Sequence, residues 1–151
     1  MKKFLLLALC LIVSYALAGH HEKSETSENI LAAMAGYDAF NKGDIEAWKK
    51  TQAPDVTFKI LEGLPYSGTH VGQQTVIDNV FSVIDEYWDG FQVTPIAFYE
   101  AGDTVFIHVK MTAEGLDTES LHMATIKDGL FVNFQAFENS ALMLEASKIK
   151  N

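Results

Sequence analysis

Two histidines and a glutamate carry most of the acid–base capacity that this sequence could bring to one place. His108 and His122 lie in neighbouring β-rich runs, and Glu138 follows a third. A neutral imidazole is the side chain best poised to exchange a proton near neutral pH. A carboxyl at the rim of the same pocket would complete a proton-transfer set. His122, His108 and Glu138 are therefore the candidate catalytic residues. The competing reading makes His122 a satisfied core histidine and His108 a solvent-facing one. Paired histidines also raise the question of a metal, but such sites need a further ligand at a fixed distance. Only Glu138 and His70 offer one, and His20-His21 beside Glu22 reads as a solvated segment, so no metal site is assigned and no cofactor is expected.

Five aromatic residues are candidates for a ligand-binding wall: Tyr37, Phe58, Tyr66, Trp88 and Phe134. Aromatic residues at such spacing also build ordinary core. Tyr37 and Tyr66 stand apart because a buried hydroxyl requires a hydrogen-bond partner.

Which side chains share a face depends on two turns. At Asp128-Gly129 a two-residue turn pairs Lys127 with Leu130, and a three-residue turn pairs Ile126 with Leu130. A one-residue slip exchanges the two faces of a strand. The three-residue form is favoured here, with Gly129 in the left-handed position. His122 then lies opposite Phe134 and shares its face with Ala136 and Glu138. Pairing around Glu114-Gly115-Leu116 would set His108 directly beside His122.

The elements that must position these groups follow from pattern. Ser27 can cap a helix carrying Ile30, Leu31, Met34, Tyr37 and Phe40, and Asn41-Lys42-Gly43 ends it. Asp44 can cap a short second helix with Ile45, Ala47 and Trp48, running through Gln52. Pro54-Asp55 breaks the chain, Val56 to Leu61 is β-rich, and Glu62 to Gly68 is a loop. A third helix runs from about Gly72 to Tyr87 on a stripe of Val76, Ile77, Val80, Phe81 and Ile84. Strands follow over 91–100, 104–112, 118–127 and 130–137, with Pro95 marking an edge or bulge. Residues 140–146 can form a closing helical turn. Three N-terminal helices followed by an antiparallel meander is an α+β layout. A strongly curved sheet of this size leaves a cone with a pocket inside, a common ligand site.

Composition excludes several function classes. The 151-residue chain has a formal charge of −9, and all eleven of its cations are lysines. It lacks the basic stripe of a nucleic-acid binder, and without arginine it has no guanidinium fork for phosphate or carboxylate. Residues 1–18 read as a signal peptide: Lys2-Lys3, an apolar run too short to span comfortably, then Ala16-Leu17-Ala18 before Gly19. Cys10 lies inside that run, behind Leu9 where a lipoprotein signal would place a small residue. The mature chain would then hold no cysteine, no disulfide and no stable membrane anchor, and would be periplasmic or secreted. Residues 19–27 read as a flexible leader and 28–147 as one domain.

Several segments, in order, resemble the nuclear transport factor 2-like superfamily, in its SnoaL-like and ketosteroid-isomerase-like branch. They are Ala39-Phe40-Asn41-Lys42-Gly43-Asp44, Ala53-Pro54-Asp55-Val56-Thr57-Phe58, and Tyr66-Ser67-Gly68-Thr69-His70-Val71-Gly72. Further on come Tyr99-Glu100-Ala101-Gly102-Asp103-Thr104-Val105, His122-Met123-Ala124-Thr125-Ile126-Lys127-Asp128-Gly129, and Phe137-Glu138-Asn139-Ser140-Ala141. The resemblance implies a cone-shaped α+β barrel, three N-terminal helices packed on a strongly curved, mostly antiparallel sheet. It also implies a homodimer through the outer sheet face. It does not imply one activity, because the superfamily mixes enzymes with binding modules. Its steroid isomerases pair a proton-abstracting Asp with a Tyr and a protonated Asp that stabilise the enolate. Carried onto this sequence, the base position falls on Ile60. The Tyr position falls on Gly36, with Tyr37 one residue away, and the second Asp falls near Leu121. The acid/base Asp of the polyketide cyclases falls on Ala136, and the Asp-Arg-Asp set of the epoxide hydrolases has no Arg.

Three expectations follow. The first is a pocket of a few hundred cubic ångströms for a small, largely apolar molecule. The second is an isomerase, cyclase or lyase using His122 with His108 or Glu138. The third is a homodimeric interaction module.

Overall fold

The computed structural model describes residues 26–148. The signal-peptide reading of 1–18, and the leader up to residue 25, lie outside the described residues.

Helix α1 (Glu28–Asn41) starts where Ser27 Oγ accepts the Ile30 amide at 3.2 Å. Its buried side is not the expected stripe. Leu31 and Met34 are about half exposed, whereas Ala33, Gly36, Tyr37 and Ala39 are buried. Small residues there let the helix approach the sheet closely. A Cβ on Gly36 would stand 3.1 Å from the Phe131 ring. Asn41 then ties the helix to a strand, donating to Val93 O at 2.7 Å and accepting the Val93 amide at 3.0 Å. Asp44 caps α2 (Ile45–Lys50), accepting the Ala47 amide at 2.9 Å.

Strand β1 (Gln52–Ile60) begins earlier than the sequence pattern implied, and β2 (Gly68–Val71), unanticipated, pairs with it antiparallel. The third helix is present as α3 (Gln73–Val76), a π-helical turn (Ile77–Phe81) and α4 (Ser82–Tyr87) in succession. Its stripe holds: Val76, Val80 and Ile84 are buried. Strands β3 (Gln92–Ala101), β4 (Thr104–Ala113), β5 (Leu116–Lys127) and β6 (Leu130–Phe137) follow, then α5 (Ser140–Ala146).

The six strands form one sheet in the order β2-β1-β6-β5-β4-β3. All neighbours are antiparallel except β1 and β6, which run parallel. The sheet ends in two edges, so the expected α+β arrangement holds but the barrel is not closed. Pro95 marks a register shift on the edge strand β3, as its missing amide requires. Val105, Ile107, Val109 and Met111 alternate inward with no exposed surface, forming the floor on which the helices pack.

Both turns that set the faces are two-residue turns. Asp128 and Gly129 take φ of 51° and 74°, the paired left-handed conformation of a tight hairpin, and Lys127 pairs with Leu130. That overturns the favoured three-residue turn. However, β6 carries a bulge at Val132: Ile126 pairs with Phe131, while Thr125 pairs with Asn133. The extra residue restores the parity that the shorter turn removes. His122 therefore faces the same side as Phe134 and Ala136, as expected, but lies opposite Ala136 rather than Phe134.

Candidate functional site

A cavity of about 70 Å³ lies between the helices and the sheet. Its walls are mostly aromatic: Phe40 from α1, Trp48 from α2, Phe81 from the π turn, Phe91, and Phe58, Phe131 and Phe134 from the sheet. Trp48, Phe58, Phe134, His122 and Tyr37 form a continuous run of ring contacts, the tightest between Phe58 and Phe134 at 4.5 Å. Free space is well below the few hundred cubic ångströms expected, because these rings fill most of it.

Five polar side chains reach this wall: Tyr37, Gln52, Tyr66, His122 and Glu138. His122 is buried on β5, its Nδ1 is 2.6 Å from the Tyr37 hydroxyl, and its Nε2 has no partner. Burial in this apolar setting lowers its pKa from 6.5 to about 3, so the imidazole is neutral. A base that weak is a poor proton acceptor at neutral pH, so His122 is better suited to donating or accepting a hydrogen bond.

Glu138, just past β6, is the better acid–base group. Both its oxygens accept from the Tyr66 hydroxyl, at 3.1 and 3.2 Å. Burial raises its pKa from 4.5 to about 7, and the Tyr66 hydrogen bond opposes that rise. Burial, followed by the charge of Glu138, raises both tyrosines well above the ordinary phenol range, keeping them protonated. No lysine lines the cavity to offset the carboxylate.

Folded Glu138 keeps its proton up to about pH 7, whereas the unfolded carboxyl loses it near 4.5. The folded state therefore binds the extra proton between those values. Stability is full below the lower value and declines as pH rises through the upper one. Glu138→Gln removes that decline. The expected gain over wild type at about pH 8 is roughly 1–2 kcal/mol, the full shift being discounted for partial exposure. Denaturant melts on both sides of neutrality check it; a constant gap between the two proteins would contradict it.

His108 does not join this set. It sits on the outer face, with Nε2 2.7 Å from Glu119 Oε2. The Glu114-Gly115 turn pairs Ala113 with Leu116, so Leu121 stands opposite His108 and Ile107 stands opposite His122. The one-residue difference from the expected turn puts the two histidines on opposite faces. Of the proposed ligand wall, Tyr37, Phe58, Tyr66 and Phe134 line the cavity but Trp88 does not. Trp88 is buried behind it, with Nε1 donating to Met143 O at 2.8 Å and its ring edge-on to Tyr66 at 5.9 Å. His70 places Nε2 2.9 Å from Tyr66 O. Among the described residues, no three of His, Cys, Asp and Glu gather as a metal site would require.

Gln52 was missed. The sequence placed it at the end of a helix, but it opens β1 beside Phe131, and residues 53–56 bow out of the pairing before Thr57 resumes it. A glutamine two residues before Pro54 carries no local mark of burial. Gly36, on which the resemblance places the Tyr, lines the cavity beside Tyr37. Leu121 turns outward, 41% exposed, and the inward polar groups are Tyr37 and His122.

The family of SnoaL-like domains matches residues 34–134, and the chain belongs to it. Similar solved structures include a nuclear transport factor 2-like protein of unknown function from Burkholderia pseudomallei K96243. It is 23% identical, with a TM-score of 0.73, over 82% of this chain and 100% of that one. TerC, co-crystallised with polyporic acid, is 26% identical, with a TM-score of 0.71, over 80% and 98%. A SnoaL-like protein from Jannaschia sp. CCS1, provisionally assigned as a polyketide cyclase, is 16% identical, with a TM-score of 0.70, over 84% and 99%. Comparison with curated proteins finds no match.

Proposed function

We propose that this SnoaL-like domain binds a small, uncharged, largely apolar molecule in the cavity between helices and sheet. What carries the reading is a wall of aromatic rings into which polar side chains converge without any cation. TerC, a relative of similar fold, was crystallised with a small organic molecule, polyporic acid. The free space of about 70 Å³ is smaller than the roughly 150 Å³ of an engineered cavity that holds benzene. Occupation therefore requires lining rings such as Phe40, Phe81 or Phe91 to turn aside. Titration with toluene, ethylbenzene and cyclohexanol, read by Trp48 fluorescence in a Trp88→Phe background, tests the proposal. Saturable quenching is expected; no saturation with any of the three would refute it.

A second reading, catalysis by proton transfer, is favoured by Glu138 titrating near neutral pH in an apolar pocket. Here Glu138 is the acid–base group, and neutral His122 with Tyr37 supplies hydrogen bonding. Turnover of an enolisable ketone that Glu138→Gln abolishes without loss of binding would support it.

Homodimerisation through the outer sheet face is a further proposal. Leu121 pairs with Phe137 there, and Tyr99, Phe106 and Met123 share the next row of the face. Leu121→Lys with Phe137→Lys should shift sedimentation from dimer to monomer. Export rests on the N-terminal sequence alone, and N-terminal sequencing of protein recovered from expressing cells tests it. Among the described residues no helix is long and apolar enough to cross a membrane.

A further inference from the structure

Two buried polar atoms in the cavity wall have no protein partner, one on His122 and one on Gln52. Hydrogen-bond bookkeeping defines what each requires. The Tyr37 hydroxyl and His122 Nδ1 are 2.6 Å apart, and either could carry the shared proton. If Nδ1 donated, both the Tyr37 hydrogen and the Nε2 lone pair would be left unmatched. If Tyr37 donates, only Nε2–H is left. Unmatched buried groups are costly, so the second arrangement holds and Nε2 is a donor awaiting an acceptor.

The Gln52 amide is oriented by the same logic. Thr51 Oγ1 donates to Trp48 O at 2.7 Å, so it accepts from Gln52, also at 2.7 Å. That contact must therefore be the Gln52 NH₂. The remaining atom, Oε1, is an acceptor awaiting a donor. Both residues are almost fully enclosed, at 3% and 4% exposed for Gln52 and His122.

The sheet sets these two atoms apart. Gln52 pairs with Phe131, while His122 pairs with Ala136, five positions further along β6. At about 3.3 Å per residue that separation is on the order of 15 Å between backbones, and the inward side chains shorten it.

We infer that the cavity selects an elongated, uncharged ligand with an acceptor oxygen at His122 Nε2 and a hydroxyl or N–H at Gln52 Oε1. This rests on the binding reading above and gives it a polarity. The ligand lies along β6 over Phe134, with opposite hydrogen-bond character at its two ends. Carboxylates and phosphates are disfavoured, because Glu138 shares the wall and no cation does.

The test compares 4-hydroxyacetophenone with two near-isosteres. In 4-methylacetophenone the hydroxyl becomes methyl; in 4-isopropenylphenol the carbonyl becomes a methylene. Titrated into the full chain, the hydroxyketone should bind about tenfold more tightly than either isostere, the effect of one satisfied buried group. Gln52→Leu should erase the preference for the hydroxyl and leave that for the carbonyl. His122→Phe should do the reverse. Nitrogen-15 spectra of the unliganded protein need no variant, and they should show His122 protonated on Nε2. Equal affinity for all three probes would overturn the inference while leaving apolar binding intact. A proton on Nδ1 would overturn it too. Failure of all three to bind would remove the binding reading and this inference with it.

Discussion

Trp88→Ala lowers folding stability by about 3–5 kcal/mol, the range for truncating a buried tryptophan. The side chain is 1% exposed, and its ring meets Tyr66, Tyr87 and Phe91. Its indole N–H also holds the Met143 carbonyl in α5. For a domain whose total stability is about 5–15 kcal/mol, that is a large share. The loss has a direction through the structure. Glu138 lies two residues ahead of α5, where Asn139 caps the helix by accepting the Leu142 amide at 3.3 Å. Tyr66, which holds the Glu138 carboxyl, rests edge-on against Trp88. The truncated protein should therefore show faster amide exchange in α5 and a Glu138 pKa moved back toward that of an exposed carboxyl. Trp88→Phe, which keeps most of the ring volume, should lose far less. Equal stability of Trp88→Ala and wild type in urea unfolding would show that α5 is not held this way.

Acid should destabilise the fold through His122 before most carboxylates matter. The folded imidazole resists protonation down to about pH 3, while the unfolded one accepts a proton near 6.5. Between those values the unfolded chain binds the extra proton, so stability falls as pH falls. From pH 7 to about pH 4 the expected loss from this one group is about 3 kcal/mol. The control is Tyr37→Phe with His122→Phe, which removes both hydrogen-bond partners and leaves neither polar group stranded. Its baseline stability can differ from wild type, but its acid limb should be flatter by that amount. The same slope in both proteins would mean that His122 is hydrated or paired in the fold. Set beside Glu138, which weakens the fold as pH rises toward neutrality, His122 confines the most stable range to mildly acidic pH.

Much of the architecture could be read locally. Ser27 and Asp44 are capping residues before helical patterns, and each accepts the amide three positions on. Alternation along 104–113 and the spacing of Val76, Val80 and Ile84 place their inward faces correctly. Local pattern failed on α1, where Leu31 and Met34 look like core but face outward. Hydropathy favours the large residues, whereas close approach of helix and sheet, with Phe131 against Gly36, demands the small ones.

The site was legible only in part. The inward direction of His122 emerged correctly although the turn beneath it was misread, because the bulge at Val132 supplied the missing residue. His108 was misplaced by a single residue at Glu114-Gly115, although the apolar alternation of its own strand already set it on the outer face. Local pattern was enough, then, for the helices, the four-strand meander and its inward alternation, the family likeness and the short list of groups able to exchange protons, but not for β2 or the buried face of α1. Period and turn chemistry act over a few residues, and those properties need nothing more. The tertiary structure alone decided that Tyr37 meets His122 across 85 residues of chain, that Gln52 enters the wall, that Trp88 stands behind it, and that Glu138 lacks a cation. Hydrogen-bond partnership and desolvation depend on which distant surfaces close over a group, and no local pattern encodes that.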